Sequence, residues 1–176
     1  MQHPSSILVV VHERCRVGAW AKLRERNEIG MPPEPESQPS SNDDAPGPRM
    51  LPVLIVDDEP DILEMLRDVL EEAGFVVLTA HDGKAALALL AHTPVALVLT
   101  DLMMPQVTGL QLAQQLRSDP RTATIPVLVM SAALPPHMAN LFAAVLPKPF
   151  ALDDLVTILR QFGVDDTRGY QQEGKE

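Results

Sequence analysis

VALVLTDLMMPQVTGLQL, residues 95–112, decides how the rest of the chain is read. Val95, Ala96, Leu97, Val98 and Leu99 are apolar at every position, the pattern of a strand covered on both faces, as in a parallel sheet flanked by helices. The run ends in one carboxylate, Asp101, and breaks at Met104-Pro105 and Gly109 before apolar residues return at helical spacing. Asp101 is therefore placed at the carboxyl end of a buried strand, where open α/β sheets build their ligand sites. An isolated aspartate there also reads as the cap of the next turn, and the choice between the two depends on the rest of the chain.

Working outward, the same alternation recurs. Pro52 to Val56 is a β-branched run that ends at Asp57-Asp58-Glu59, and Pro60-Asp61 opens a helix carried by Ile62, Leu63, Leu66, Val69 and Leu70 and stopped by Gly74. Phe75 to Ala80 reads as a second strand and Lys84 to Ala91 as an Ala/Leu-rich helix. After the third strand, Val95 to Thr100, comes a helix over Thr108 to Arg117. Ile125 to Met130 is a fourth strand leading to Ser131. Pro135-Pro136 leaves room only for a short helix, His137 to Ala144, before a fifth strand at Val145-Leu146. Pro147-Lys148-Pro149-Phe150 and an amphipathic helix, Leu152 to Phe162, follow.

Strands alternating with helices imply right-handed crossovers and a parallel sheet. The expected fold class is α/β, a doubly wound five-stranded parallel sheet of order 2-1-3-4-5, flavodoxin-like, with a shortened fourth helix. The expected organisation is an amino-terminal extension and linker over residues 1–50, one domain over 51–163 and a polar tail over 164–176. Within the extension, Ile7 to Val11 could form a stray strand and Gly18 to Glu28 a charged helix bearing Trp20, while Met31 to Arg49 is too poor in large apolar residues to offset the entropy of ordering. The basic residues Arg14, Arg16, Lys22, Arg24 and Arg26 read as a solvated face or an interaction tail. The extension could also be an over-extended reading of the start, with a truer beginning near Met50.

Composition bounds the chemistry. Of 176 residues, 45% are hydrophobic and only 3% aromatic, so the core is aliphatic. A formal net charge of -10 argues against nucleic acid and anionic membranes as partners, because phosphate contacts need clustered Lys and Arg. One cysteine, Cys15, excludes an intramolecular disulfide. The expectation is a soluble, cytoplasmic protein. His3, His12, His81, His92 and His137 lack metal-ligand spacing and read as surface residues.

In a parallel sheet all strands end on one edge, so Asp57 and Asp58, Asp101, Ser131 and Lys148 converge there. Taken singly, each has a plainer reading: an acidic helix cap, a turn serine, a solvent-facing lysine. Glu59 reads as a cap rather than a ligand, and the Met103-Met104 pair as local packing. Together, three carboxylates repel unless a cation compensates them, and Mg2+, a hard cation that keeps waters and takes phosphate oxygens, meets that need. A serine donor and a lysine beside them complete a phosphoryl-binding set.

Leu54-Ile55-Val56-Asp57-Asp58-Glu59, Thr100-Asp101-Leu102-Met103-Met104-Pro105, Ser131-Ala132 and Pro147-Lys148-Pro149-Phe150 resemble the four signatures of the receiver domain of two-component response regulators. The likeness covers about residues 52–163. It implies that Asp101 is the phosphoacceptor for a phosphohistidine of a histidine kinase or histidine phosphotransfer protein. It also implies that Asp57, Asp58, Asp101 and the Met103 backbone carbonyl hold Mg2+, and that Ser131 and Lys148 bind the phosphoryl group and switch. A cis Lys148-Pro149 bond, an unidentified downstream protein target and a monomer or weak phosphorylation-dependent dimer are implied too. The function implied is a single-domain response regulator, not a turnover enzyme.

Two departures stand out. The switch position three residues before the lysine, usually aromatic in the family, is Val145, and the interval from Ser131 to Lys148 is short. Both leave open a receiver-shaped interaction module working without phosphate. A Mg2+-dependent phosphatase with a strand-end aspartate nucleophile is a further class, but such enzymes usually carry a second aspartate two residues on, where this chain has Met103.

Overall fold

The computed structural model describes residues 51–164, and the readings made on residues 1–50 and 165–176 lie outside them. Five strands, β1 (Val53–Val56), β2 (Val77–Ala80), β3 (Leu97–Asp101), β4 (Val127–Ser131) and β5 (Ala144–Pro147), form one parallel sheet in the order β2-β1-β3-β4-β5. The helices are α1 (Pro60–Glu72), α2 (Gly83–Leu90), α3 (Gly109–Ser118) and α4 (Leu152–Gln161), with a 3-10 helix at Pro136–Leu141 between β4 and β5.

Burial on both faces explains why the inner strands β1, β3 and β4 are apolar along most of their length, whereas the edge strand β2 is only partly buried. Val53, Ile55, Leu97, Leu99, Leu128 and Met130 join Leu66 and Leu70 of α1 and Leu155, Ile158 and Leu159 of α4 in one core. Their neighbours Leu54, Val56, Val98, Val127 and Val129 face the other way, against Ala86 and Leu90 of α2 and Leu112, Ala113 and Leu116 of α3. A period of two along each strand thus feeds two cores.

Helix ends follow local chemistry. Pro60 opens α1, and Gly74, at φ 97, closes it while the Phe75 N–H reaches back to the Leu70 carbonyl at 2.9 Å. Asp82 caps α2 through the Ala85 N–H, and Thr108 caps α3 in a reciprocal capping box with Gln111.

Several boundaries differ from the sequence expectation. Phe75 belongs to the α1 closure and the core, so β2 is shorter than Phe75 to Ala80. The helix expected over His137 to Ala144 is instead a six-residue 3-10 turn. Too few residues separate β4 from Lys148 for an α-helix, and Phe142 and Ala143 are buried, with the Ala143 N–H bonded to the Val127 carbonyl at 2.8 Å to start β5. Val164, assigned to the tail, is buried in the core instead.

Register places the site. Val56 pairs with Thr100, so the residue after each strand position, Asp57 and Asp101, stand level; Ser131 pairs with Pro147, which brings Lys148 to the same edge.

Candidate functional site

Asp101 is the last residue of β3, and its two carboxylate oxygens have different partners. Oδ1 accepts from Lys148 Nζ at 2.6 Å, and Oδ2 accepts from the Met103 N–H at 2.6 Å. The main chain around it is equally fixed. Thr100 Oγ1 donates to the Asp101 carbonyl at 2.9 Å, and a Cβ on Gly109 would run into that same carbonyl oxygen. Only glycine lets α3 begin this close to the strand end.

Asp57 is 1% exposed. Its Oδ1 accepts the Glu59 N–H at 3.0 Å, whereas Oδ2 is buried without a hydrogen-bond partner, 3.8 Å from Lys148 Nζ. Burial raises the Asp57 pKa; the Glu59 N–H and Lys148 oppose the rise, and Asp101 and Asp58 add to it. Burial by itself would lower the Lys148 pKa, but the hydrogen bond and charge of Asp101, then Asp57 and Glu59, outweigh it and leave it raised. Lys148 leaves β5 across a cis bond to Pro149, as the resemblance implied, and its N–H bonds the Ser131 carbonyl at 3.0 Å.

The structure therefore brings Asp57, Asp101 and Lys148 into one ionic cluster. Asp58 lies beside it on the exposed surface. Ser131 sits at the adjacent strand end, but its hydroxyl serves its own loop, donating to the Ala133 carbonyl at 2.9 Å and accepting the Ala133 N–H at 3.2 Å. Val145 is half-buried against the α2/α3 core. Met104 packs in that core, but Met103 does not; its side chain is 76% exposed, which corrects the reading of the pair as packing. His81, His92 and His137 are exposed.

Among the described residues no three His, Cys, Asp or Glu side chains converge as a self-sufficient metal cage. Lys148 compensates the charge that a cation would otherwise have to meet. The orphaned Asp57 Oδ2 nevertheless fits a hard divalent ion, since Mg2+ needs only one or two carboxylates and completes its shell with waters and carbonyls. A separate cleft of about 630 Å³ lies between α2 and α3, lined by Leu87, Leu90, Val107, Gln111, Leu116 and Arg121, away from the carboxylates.

Two features escaped the sequence reading. Thr100, the polar residue in β3 before Asp101, was legible as an interruption of an apolar run. Gln106 at φ 65, with the Val107 N–H bonded to the Pro105 carbonyl at 2.8 Å, had no signal, because glycine or asparagine marks such positions.

Residues 53–160 match the response regulator receiver domain family, and the chain belongs to it. Among curated relatives, the response regulator MprA of Mycobacterium ulcerans is 42% identical over 112 residues, 61% of this chain and 48% of the relative. The MprA of Mycolicibacterium vanbaalenii is 38% identical over 124 residues. The chain spans about half the length of the curated relatives it matches. Among solved structures, the chemotaxis protein CheY4 of Vibrio cholerae superposes with a TM-score of 0.61 at 28% identity, covering 65% of this chain and 99% of that one. TrrA of Thermotoga maritima, solved in complex with Mg2+-BeF, gives 0.58 at 28% identity, covering 64% and 99%.

Proposed function

We propose that this receiver domain accepts a phosphoryl group on Asp101 from a phosphohistidine of a histidine kinase or histidine phosphotransfer protein, in a Mg2+-dependent relay. The observation that carries it is the contact of Lys148 Nζ with Asp101 Oδ1 at 2.6 Å, beside a buried carboxylate with an orphaned oxygen. An Asp101 carboxylate oxygen attacks phosphorus, the new O–P bond forms as the P–N bond breaks, and the electron pair leaves with the imidazole, which takes up a proton.

Asp57, Asp58, Asp101 and the Met103 carbonyl would hold Mg2+, which when bound neutralises charge building on the phosphoryl oxygens. Lys148 stays beside Asp101 to pair with the added charge, about 1.5 to 2 units at neutral pH. Ser131 reaches the phosphoryl group only by giving up its bonds to Ala133, so charge is converted to movement of the loop that leads into the 3-10 helix. Coupling of this kind is typically worth about 1 to 3 kcal/mol, enough to bias a protein-binding surface.

A phosphate-independent interaction module is the second reading, favoured by Val145 and by the 3-10 turn that stands in place of a fourth α-helix. Incubation with acetyl phosphate and Mg2+ separates the two. One phosphoryl group on the wild type and none on Asp101→Asn supports phosphotransfer; an unmodified wild type, with Asp101→Ala retaining activity in cells, supports the module.

A further inference from the structure

Thr100 interrupts an otherwise apolar strand, is 0% exposed, and pairs by register with Val56 and Val129 in the middle of the sheet. A buried hydroxyl without a partner is costly, so its bond matters. It donates to the carbonyl of the next residue, Asp101, at 2.9 Å. That carbonyl is also the atom against which Gly109 presses, while the Gly109 N–H bonds the Leu102 carbonyl at 3.1 Å. The Asp101–Leu102 peptide is thus gripped between a hydroxyl and the first residue of α3. The Met103 N–H, which holds Asp101 Oδ2 at 2.6 Å, comes one residue beyond it.

We infer that Thr100 is a positioning residue for phosphotransfer: its hydroxyl fixes the Asp101–Leu102 peptide plane and thereby the aim of the Met103 N–H at the Asp101 carboxylate. The inference rests on Asp101 being the phosphoacceptor. Thr100 touches neither carboxylate oxygen and acts through the main chain. Strand alternation puts Thr100 on the same side of the sheet as Val98, in the core that also holds Leu102, so a valine of similar shape keeps the packing and loses the donor.

The test compares wild type, Thr100→Val and Thr100→Ser for initial phosphorylation rate with acetyl phosphate at saturating Mg2+, with thermal unfolding as the check on folding. Thr100→Val is expected to label about fivefold more slowly at saturating donor, the effect of one lost hydrogen bond, and Thr100→Ser to stay within about twofold of wild type because the donor is retained. Thr100→Cys, close to serine in shape but a weak donor, must share the loss, and it decides the matter if Thr100→Val does not fold. A Thr100→Val or Thr100→Cys rate equal to wild type, or a Thr100→Ser rate as slow as that of Thr100→Val, overturns the inference alone. A wild type that takes no phosphoryl group overturns the phosphoacceptor reading, and this inference with it.

Discussion

Lys148 Nζ stands 2.6 Å from Asp101 Oδ1, and the same ammonium lies 3.8 Å from Asp57 Oδ2, so one lysine offsets two buried carboxylates. Removing it leaves the enclosed Asp57 carboxylate and the partly buried Asp101 carboxylate without their shared cation. Lys148→Met should therefore melt lower than wild type near neutral pH and gain more from added MgCl2, because the metal no longer shares its charge-balancing role. A smaller Mg2+-induced rise in Tm in the variant than in wild type contradicts this. Because the folded pKa of Lys148 is raised, its contribution is fully present below the ordinary lysine value of 10.5 and is lost as pH climbs through the folded value. Alkaline melts should show this loss in wild type and not in the variant.

Asp57 shifts in the same direction as Lys148, but its ionised form counts against the fold. Burial, chiefly, lifts its folded pKa above the ordinary 3.8, so the folded state holds the proton more tightly and stability falls as pH rises through that interval. The ionised carboxylate is a penalty at neutral pH. Asp57→Asn should melt about 4 °C higher than wild type at neutral pH without metal, with the gain disappearing as pH falls to the ordinary carboxylate value. It should also lose the Mg2+-induced rise in Tm. A lower melting point for Asp57→Asn at neutral pH would falsify the reading of Asp57 as a carboxylate whose charge burial penalises.

Gly109 tests how rigidly Asp101 is held. A Cβ there collides with the Asp101 carbonyl oxygen and lies 3.2 Å from Leu102 Cα, both main-chain atoms that cannot swing aside. Gly109→Ala should lose about 2 kcal/mol of stability, in the range of overpacked sites, and phosphorylate at least about tenfold more slowly, the shift of 1.4 kcal/mol in barrier. Unchanged labelling by a folded Gly109→Ala protein would show that the start of α3 does not set the aim of Asp101.

Gln106 is a local conflict in the same loop. Its φ of 65 is a conformation that side-chain-bearing residues adopt at a cost of about 1–2 kcal/mol, part of which glycine recovers. Gln106→Gly should raise stability by about 0.5–1 kcal/mol in a denaturant titration. A loss of stability would mean that the glutamine side chain contributes more at the α2/α3 cleft than the backbone relief returns.

The sheet was legible because its strands are buried on both faces: a run such as Leu97-Val98-Leu99 has no other economical home, and the acidic and proline signals mark where α1 begins. The site was legible because parallel topology forces Asp57, Asp101, Ser131 and Lys148 onto one edge. What periodicity could not supply was division of labour within that edge. Nothing in the order of residues says that Lys148, rather than a third carboxylate, sits closest to Asp101, or that Asp58 faces solvent while Asp57 is enclosed. Nor does it show that the Ser131 hydroxyl is bonded to Ala133, since that depends on the loop path after β4. The segment before β5 reads as helical through Ala144 from the helix-opening signal of Pro135-Pro136, whereas the chain forms only a 3-10 turn over Pro136–Leu141.

Phosphoryl transfer to Asp101 is tested most directly by intact-mass measurement after incubation of the purified chain with acetyl phosphate and Mg2+. The expected result is addition of one phosphoryl group to wild type, none without Mg2+, and none to Asp101→Asn. A wild type whose mass does not change, or an Asp101→Asn protein labelled as fully as wild type, would contradict the assignment of Asp101 as the phosphoacceptor.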